Sequence, residues 1–275
     1  MRTTEKESRY DHLDTMDTGE ILRGINTEDH AVPEAVGEAI PQIATVVEHL
    51  VERVRQGGRI FYLGAGTSGR LGVVDASEIP PTYGVKGTFI GLIAGGDQAI
   101  RSAVEGAEDD WDGAWRDLTP FQPTPLDSVV GVAASGTTPY VIGGVREARA
   151  RGLFTSCITC NPGAPLAEAC EAPIVVEVGP EFVTGSTRMK AGTAQKLVLN
   201  MISTAVMIRL GHVKGNKMVD MELTNRKLVD RGTRMIIEAT GLKDYEKARG
   251  MLLTHGHVRE AVEAWFTEHP PLSAK

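Results

Sequence analysis

The sequence predicts an α/β fold: a parallel sheet covered by helices on both faces, with a helical arm before it and a short helical module after it. Five short apolar runs point there: residues 59–66 (RIFYLGAG), 87–96 (GTFIGLIAGG), 127–136 (DSVVGVAASG), 154–163 (FTSCITCNPG) and 172–179 (APIVVEVG), each ending in Gly or small polar residues. The runs are continuously apolar rather than alternating, as strands buried on both faces are, and helical segments separate them. The expected divisions are 1–50 for the arm, 51–237 for the sheet domain and 238–275 for the C-terminal module.

In the arm, Ile43, Val46, Val47, Leu50 and Val54 repeat at helical spacing, and Gly57-Gly58 ends the stripe. This is an entry helix rather than a site. The first strand then runs into residues 61–70 (FYLGAGTSGR), with Gly64, Gly66 and Gly69 spaced as G-x-G-x-x-G. Such a turn aims backbone N–H groups and a helix N-terminus at an anion. A dinucleotide would also need an acidic residue roughly twenty positions on, at the end of the second strand. Here that strand ends LIAGGD, and Asp97 comes late, after two glycines.

The hydroxyls decide differently. Thr67 and Ser68 lie inside the first turn, and the third strand ends in Ser135-Gly136-Thr137-Thr138, a second hydroxyl-rich loop opening a second helix. Both loops leave carboxyl ends of strands, where open α/β sheets bind ligands. Gly66, Thr67, Ser68, Ser135, Gly136, Thr137 and Thr138 therefore read as contacts to a sugar phosphate rather than to NAD. Helix capping explains either loop alone, and both together less well. A third loop, residues 184–188 (TGSTR), precedes a helix with Leu197, Val198, Met201, Ile202, Ala205 and Ile208 on its apolar face; Ser186 or Thr187 is expected to cap it and Gly211 to stop it. Ser186, Thr187, Arg188 and Lys190 are candidate anion contacts, with a pair of surface cations as the plain alternative. From about Glu238, DYEKARGMLL and HVREAVEAWF read as short helices before a Pro-containing tail.

Composition narrows the partners. A net charge of −7 argues against a nucleic-acid or anionic-membrane partner, which requires clustered Lys and Arg. The longest apolar run, near 197–210, is broken by Asn200, Ser203, Thr204 and Arg209 and falls short of the ~18 residues that cross a bilayer. The charged N-terminal stretch does not read as a signal peptide, so a cytoplasmic location is expected. Cys157, Cys160 and Cys170 cannot build a disulfide framework, and the Cys157–Cys160 pair lacks the second pair of a metal site; buried, inert thiols are expected. His212, His255 and His257 carry no assigned role.

Five strings are distinctive: LGAGTSGRLGVVDASEIPPTYGVK, AVEGAEDD, GVAASGTTPYVIGG, CNPG, and the long EFVTGSTRMK…ELTNRKL. Together they resemble the N-acetylmuramic acid 6-phosphate etherases, members of the sugar isomerase (SIS) superfamily and relatives of the glucokinase regulatory protein, from about residue 13 to residue 240. The resemblance implies a SIS-type, flavodoxin-like three-layer sandwich. It also implies a homodimer binding MurNAc 6-phosphate at its interface, cleavage of the lactyl ether to GlcNAc 6-phosphate and D-lactate, and no metal or organic cofactor. By the same resemblance the acid glutamate of D-A-S-E-x-P-P is Glu78 and the basic glutamate of A-E-D is Glu108.

The chemistry needs two carboxyls. In the open-chain aldehyde the C2 proton is acidic, so a base removes it, lactate leaves from C3 and water adds back; a second carboxyl, protonated, gives its proton to the departing oxygen. If a helix after Gly69 ends at Pro80-Pro81, Glu78 lies in its last turn near Asp75, and a helix C-terminus and a like charge both favour a protonated acid. Glu105, Glu108 and Asp109 read as one charged helix face. The residues alone do not choose among them; the family string chooses Glu108. Two departures stand out: Thr137 occupies the place of Arg in the family's S-G-R-T-P-Y loop, and the C-terminal module is short. The competing readings are a non-catalytic sugar-phosphate-binding SIS regulator and an aldose–ketose isomerase of the same superfamily. Possession of both Glu78 and Glu108 favours the etherase.

Overall fold

In the computed structural model, which describes residues 2–270, the five apolar runs form one parallel sheet in the order β2-β1-β3-β4-β5: β1 (Ile60–Gly64), β2 (Phe89–Ile93), β3 (Ser128–Val132), β4 (Phe154–Thr159) and β5 (Ala172–Val175). Every residue of β1, β3 and β4 is buried, the reason these runs show no polar alternation. Gly64 stands level with Ile93 on one side and Val132 on the other, so β1, β2 and β3 end together. The strand order reverses between β1 and β3, the point at which such sheets leave a crevice for ligands.

The helices are α1 (Thr18–Asp29), α2 (Ala31–Glu38), α3 (Ile40–Arg55), α4 (Gly66–Ser77), α5 (Ile79–Tyr83), α6 (Gly96–Arg101), α7 (Gly113–Leu118), α8 (Pro139–Ala150), α9 (Pro165–Ala169), α10 (Lys190–Arg209), α11 (Arg226–Thr240), α12 (Tyr245–His255) and α13 (Val258–Glu268), with a small hairpin β6 (Val213–Lys214) and β7 (Lys217–Met218). Phe61, Leu63 and Val129 point from the sheet into a core made with Leu118, Tyr140, Val141, Val145 and Leu166 of α7, α8 and α9. Tyr62 points the other way, where α4 rests so closely that a Cβ on Gly72 would come within 3.1 Å of Tyr62 Cβ. The three-layer α/β architecture is as the sequence predicts.

The chain divides into two compact units, Met1–Ser77 with Gly87–Val206, and Glu78–Lys86 with Met207–Lys275. The arm thus belongs to the sheet unit: α3 buries Ile43, Val46, Val47, Leu50 and Val51, and α1 opens on an Asp17–Glu20 capping box. The second unit combines the short 78–86 stretch with a segment that starts inside α10, and includes α11 and the hairpin. Residue 1 of the expected arm and residues 271–275 of the expected C-terminal module lie outside the described residues. In the second unit α11, α12 and α13 surround Met221, Met235, Ile236, Leu252, Val258 and Ala261, and a Cβ on Gly232 would meet Leu252 at 2.8 Å, so this glycine permits the close approach. No described helix is long and apolar enough to cross a membrane.

Candidate active site

The turn after β1 is built by its glycines. Gly66 adopts φ +52°, and a Cβ on Gly64 would lie 2.6 Å from Gly69, so the first turn of α4 sits directly on the end of β1. Thr67 and Ser68 are thereby carried at the N-terminus of α4. Ser68 is buried, its Oγ 2.9 Å from Oε1 of the fully buried Gln195 on α10.

The Ser135–Thr138 loop follows β3. Gly136 (φ +68°) has no room for a Cβ, which would come within 2.4 Å of Ala164; Thr137 donates from its N–H and Oγ1 to Ser135 Oγ at 3.3 and 3.0 Å. Thr138 stands at the N-cap of α8 without a side-chain capping bond, so capping does not account for its hydroxyl. The buried amide of Asn161, from the CNPG string, donates to the Ala134 and Ser135 carbonyls and to Thr4 Oγ1 at 3.1, 3.3 and 2.9 Å. The Thr3-Thr4 stretch is therefore tied to the second loop.

In the third loop the structure corrects two expectations. The cap of α10 is Glu181, whose carboxylate accepts from the Lys190 and Ala191 N–H groups at 2.8 and 2.9 Å; the Ser186 and Thr187 side chains play no such part. Burial pushes the Glu181 carboxyl up despite these donors. Nor does the loop present Lys190: only 1% exposed, its Nζ lies 2.5 Å from Glu28 of α1. Arg188 remains as the exposed cation of this loop.

Two cavities flank the glycine turn. One, of about 280 Å³, is lined by Thr67, Arg188, Gly192, Thr193 and Lys196, bringing the first and third loops together around two cations. The other, of about 370 Å³, is lined by Ala65, Gly66, Arg70, Ala94, Glu105 and Glu108 among others. The Ser135–Thr138 residues line neither. Glu108 is exposed in a 3₁₀ turn (Ala107–Asp109) rather than on an α-helix, because Gly106 at φ +71° turns the chain just before it. Glu105 and Glu108 nonetheless open onto the same cavity. Nothing local in the sequence marks Arg70 or Lys196; the one signal is their place within the two loop–helix strings.

Glu78 differs from expectation in its local frame. Helix α4 stops at Ser77, and Pro80 and Pro81 start α5 instead of ending α4. Glu78 occupies the N-cap position of α5 with an exposed side chain that makes no capping bond. It thus stands at the start of one helix as well as at the end of another.

Asp75 points into the sheet unit. Its Oδ1 accepts from Ser203 Oγ at 3.1 Å, while its buried Oδ2 and the buried Tyr62 hydroxyl have no hydrogen-bond partner among the described residues. Burial raises its carboxyl to about 6, against the opposing pull of Ser203, Tyr62 and Lys196. A folded-state value above the unfolded one means a penalty absent below about pH 4 and complete above about pH 6. Asp75→Asn should therefore gain on wild type by up to ~3 kcal/mol between pH 4 and pH 7, read from urea unfolding at both. A difference independent of pH would contradict this.

Cys157, Cys160 and Cys170 are all buried and free, and burial pushes the Cys160 thiol up to about 12, away from reactivity. Among the described residues no group of three or more His, Cys, Asp or Glu is gathered as a metal site.

Comparison with known proteins places this architecture. The model of the glucokinase regulatory protein N-terminal SIS domain matches residues 42–149. Among solved structures, an E. coli CFT073 protein in complex with a ligand superposes with a TM-score of 0.53 at 16% identity, covering 73% of this chain and 97% of that one. A phosphoheptose isomerase from Francisella tularensis gives 0.51 at 15%, covering 68% and 98%. At these identities the likeness is one of fold. N-acetylmuramic acid 6-phosphate etherase from Christiangramia forsetii is 62% identical over 266 residues, 96% of this chain and 97% of the relative. That of Bacteroides thetaiotaomicron is 60% identical, with 96% of each covered. The Yersinia pestis (Pestoides F) protein of the same name is 53% identical, covering 91% of this chain and 85% of the relative. The short C-terminal module therefore does not set this chain apart from the first two. On identities of this size across nearly the whole length, the chain belongs to the N-acetylmuramic acid 6-phosphate etherase family.

Proposed function

We propose that the protein cleaves the D-lactyl ether of MurNAc 6-phosphate to give GlcNAc 6-phosphate and D-lactate. It would thus be a carbon–oxygen lyase acting in cell-wall sugar recycling, in the cytoplasm and as a homodimer. The observation that carries the reading is the placement of Glu108: it opens onto a cavity shared with the Gly66 turn, at the carboxyl ends of β1 and β2. A base there would share its cavity with a sugar held by that turn.

The two loops that meet at Thr67 and Arg188 suit the 6-phosphate. Backbone N–H groups at the α4 N-terminus, the Thr67 hydroxyl and the Arg188 and Lys196 cations supply donors and positive charge around one cavity. Ser68, Ser186, Thr187 and the Ser135–Thr138 hydroxyls are assigned to the same ligand, to its phosphate or its sugar hydroxyls. In the open-chain aldehyde the Glu108 carboxylate takes the C2 proton, the electron pair forms a C2–C3 double bond, and the C3–O bond breaks. Glu78, protonated, passes its proton to the departing lactate oxygen. Water then adds at C3, giving a proton to the Glu78 carboxylate, while Glu108 returns the proton to C2. Both carboxyls thereby end as they began.

The test is incubation of the purified protein with MurNAc 6-phosphate. D-lactate and GlcNAc 6-phosphate in equal amounts are expected, whereas tight binding with no lactate would mean a sugar-phosphate sensor and sink the reading.

A further inference from the structure

Arg70 is the one cation lining the Glu108 cavity, where Glu105 and Glu108 bring two carboxylates. It lies on α4, just past the glycine turn. Its Nε donates to the Ile100 carbonyl at 3.0 Å, in the last turn of α6, which fixes the guanidinium. No described residue forms an ion pair with it, so both Nη groups are available as a fork. Capping α6 needs only the Nε–H, and does not account for a cation that lines the same cavity as two acidic side chains it does not pair with.

On the proposed reaction, the substrate carries two anions at opposite ends: a phosphate on C6 and a carboxylate on the lactyl group at C3. The cavities divide in the same way. Thr67, Arg188 and Lys196 line one side of the glycine turn, and Arg70 with Glu108 lines the other. A base that takes the C2 proton must lie close to the C3 ether and so to the lactyl carboxylate, whose charge Glu105 and Glu108 repel. The paired Nη donors of a guanidinium match a carboxylate in two parallel hydrogen bonds, which a point charge does not.

We propose that Arg70 binds the lactyl carboxylate and so makes the site select a 3-O-lactyl sugar over the same sugar without it. This rests on the etherase reading for the identity of the substrate. The residue grips the half of the substrate that leaves and takes no part in holding the phosphate.

The experiment measures affinity by calorimetry for MurNAc 6-phosphate and for GlcNAc 6-phosphate, which lacks the carboxylate. It is done in a Glu108→Gln background, so that turnover does not confuse the titration. Arg70→Gln is expected to weaken MurNAc 6-phosphate by about 10-fold or more, the scale of a lost charge-assisted pair, and to leave GlcNAc 6-phosphate within about twofold. Arg70→Lys, keeping the charge without the fork, should fall between. Parallel weakening of both sugars would overturn the proposal, since it means that Arg70 serves the phosphate or merely the fold; so would no change in either. A Glu108-intact protein that binds both sugars and releases no D-lactate would sink the etherase reading while leaving the Arg70 comparison readable.

Discussion

Glu108→Gln is expected to lower kcat for D-lactate release by about 10²- to 10⁴-fold, the usual contribution of a positioned general base, with GlcNAc 6-phosphate binding within a few-fold of wild type. The substitution keeps size and hydrogen-bonding capacity and removes only basicity. Because Glu108 is exposed in a short 3₁₀ turn, stability should hardly move, and urea unfolding in parallel with steady-state kinetics checks that. Glu105, on the same cavity, provides the control: Glu105→Gln should cost far less. If the two substitutions cost the same, or Glu105 the more, the assignment of the base to Glu108 is wrong.

Glu28→Leu is expected to destabilise the sheet unit by ~3–5 kcal/mol, since it leaves the Lys190 ammonium buried without its counter-charge. Lys190 is 1% exposed and Glu28 6%, with 2.5 Å between their charged atoms; Arg9 approaches the same carboxylate at 3.7 Å from an exposed position. Arg9 gives Glu28 a second partner, so Lys190→Met should cost less than Glu28→Leu. The double variant, with neither charge, should recover most of the loss, as replacing a whole buried pair by apolar groups commonly does. Urea denaturation of the two single variants and the double one measures this; additive losses in the double variant would mean that the pair is not coupled. A cost of this size is a large share of the ~5–15 kcal/mol that holds a typical domain folded. The pair joins α1 to the start of α10, which makes the N-terminal arm part of the sheet unit and places the loop carrying Arg188.

The sheet is legible in the sequence because burial on both faces leaves only apolar residues and small hydroxyl residues in β1, β3 and β4, with no charged side chain, and because glycines mark the strand ends. Less visible is whatever depends on a distant partner. The cap of α10 comes from Glu181, in an irregular stretch well before the helix, while the adjacent Ser186 and Thr187 look like better local caps. Lys190 reads as a loop cation only because its partner, Glu28, is far off in the chain. Pro80-Pro81 looks like a helix stop and is a helix start, since the first turn of a helix has no use for the missing N–H. The charged string around Glu105 and Glu108 suggests a helix face, whereas Gly106 in a left-handed conformation breaks it. Nothing in the sequence marks Arg70; it stands out only because α6 and the Glu108 turn line the same cavity. In α11 the interior Gly232 hides a helix that needs that glycine in order to pack against Leu252.

The reaction carried out in heavy water, with MurNAc 6-phosphate as substrate and ¹⁸O-labelled solvent in a parallel run, tests the central claim most directly. Elimination followed by water addition predicts one solvent deuterium at C2 and one solvent oxygen at C3 of the GlcNAc 6-phosphate, with the original ether oxygen retained in D-lactate. Product with unlabelled C2, or solvent oxygen found in the lactate instead of the sugar, would contradict proton abstraction at C2 and cleavage between C3 and the ether oxygen.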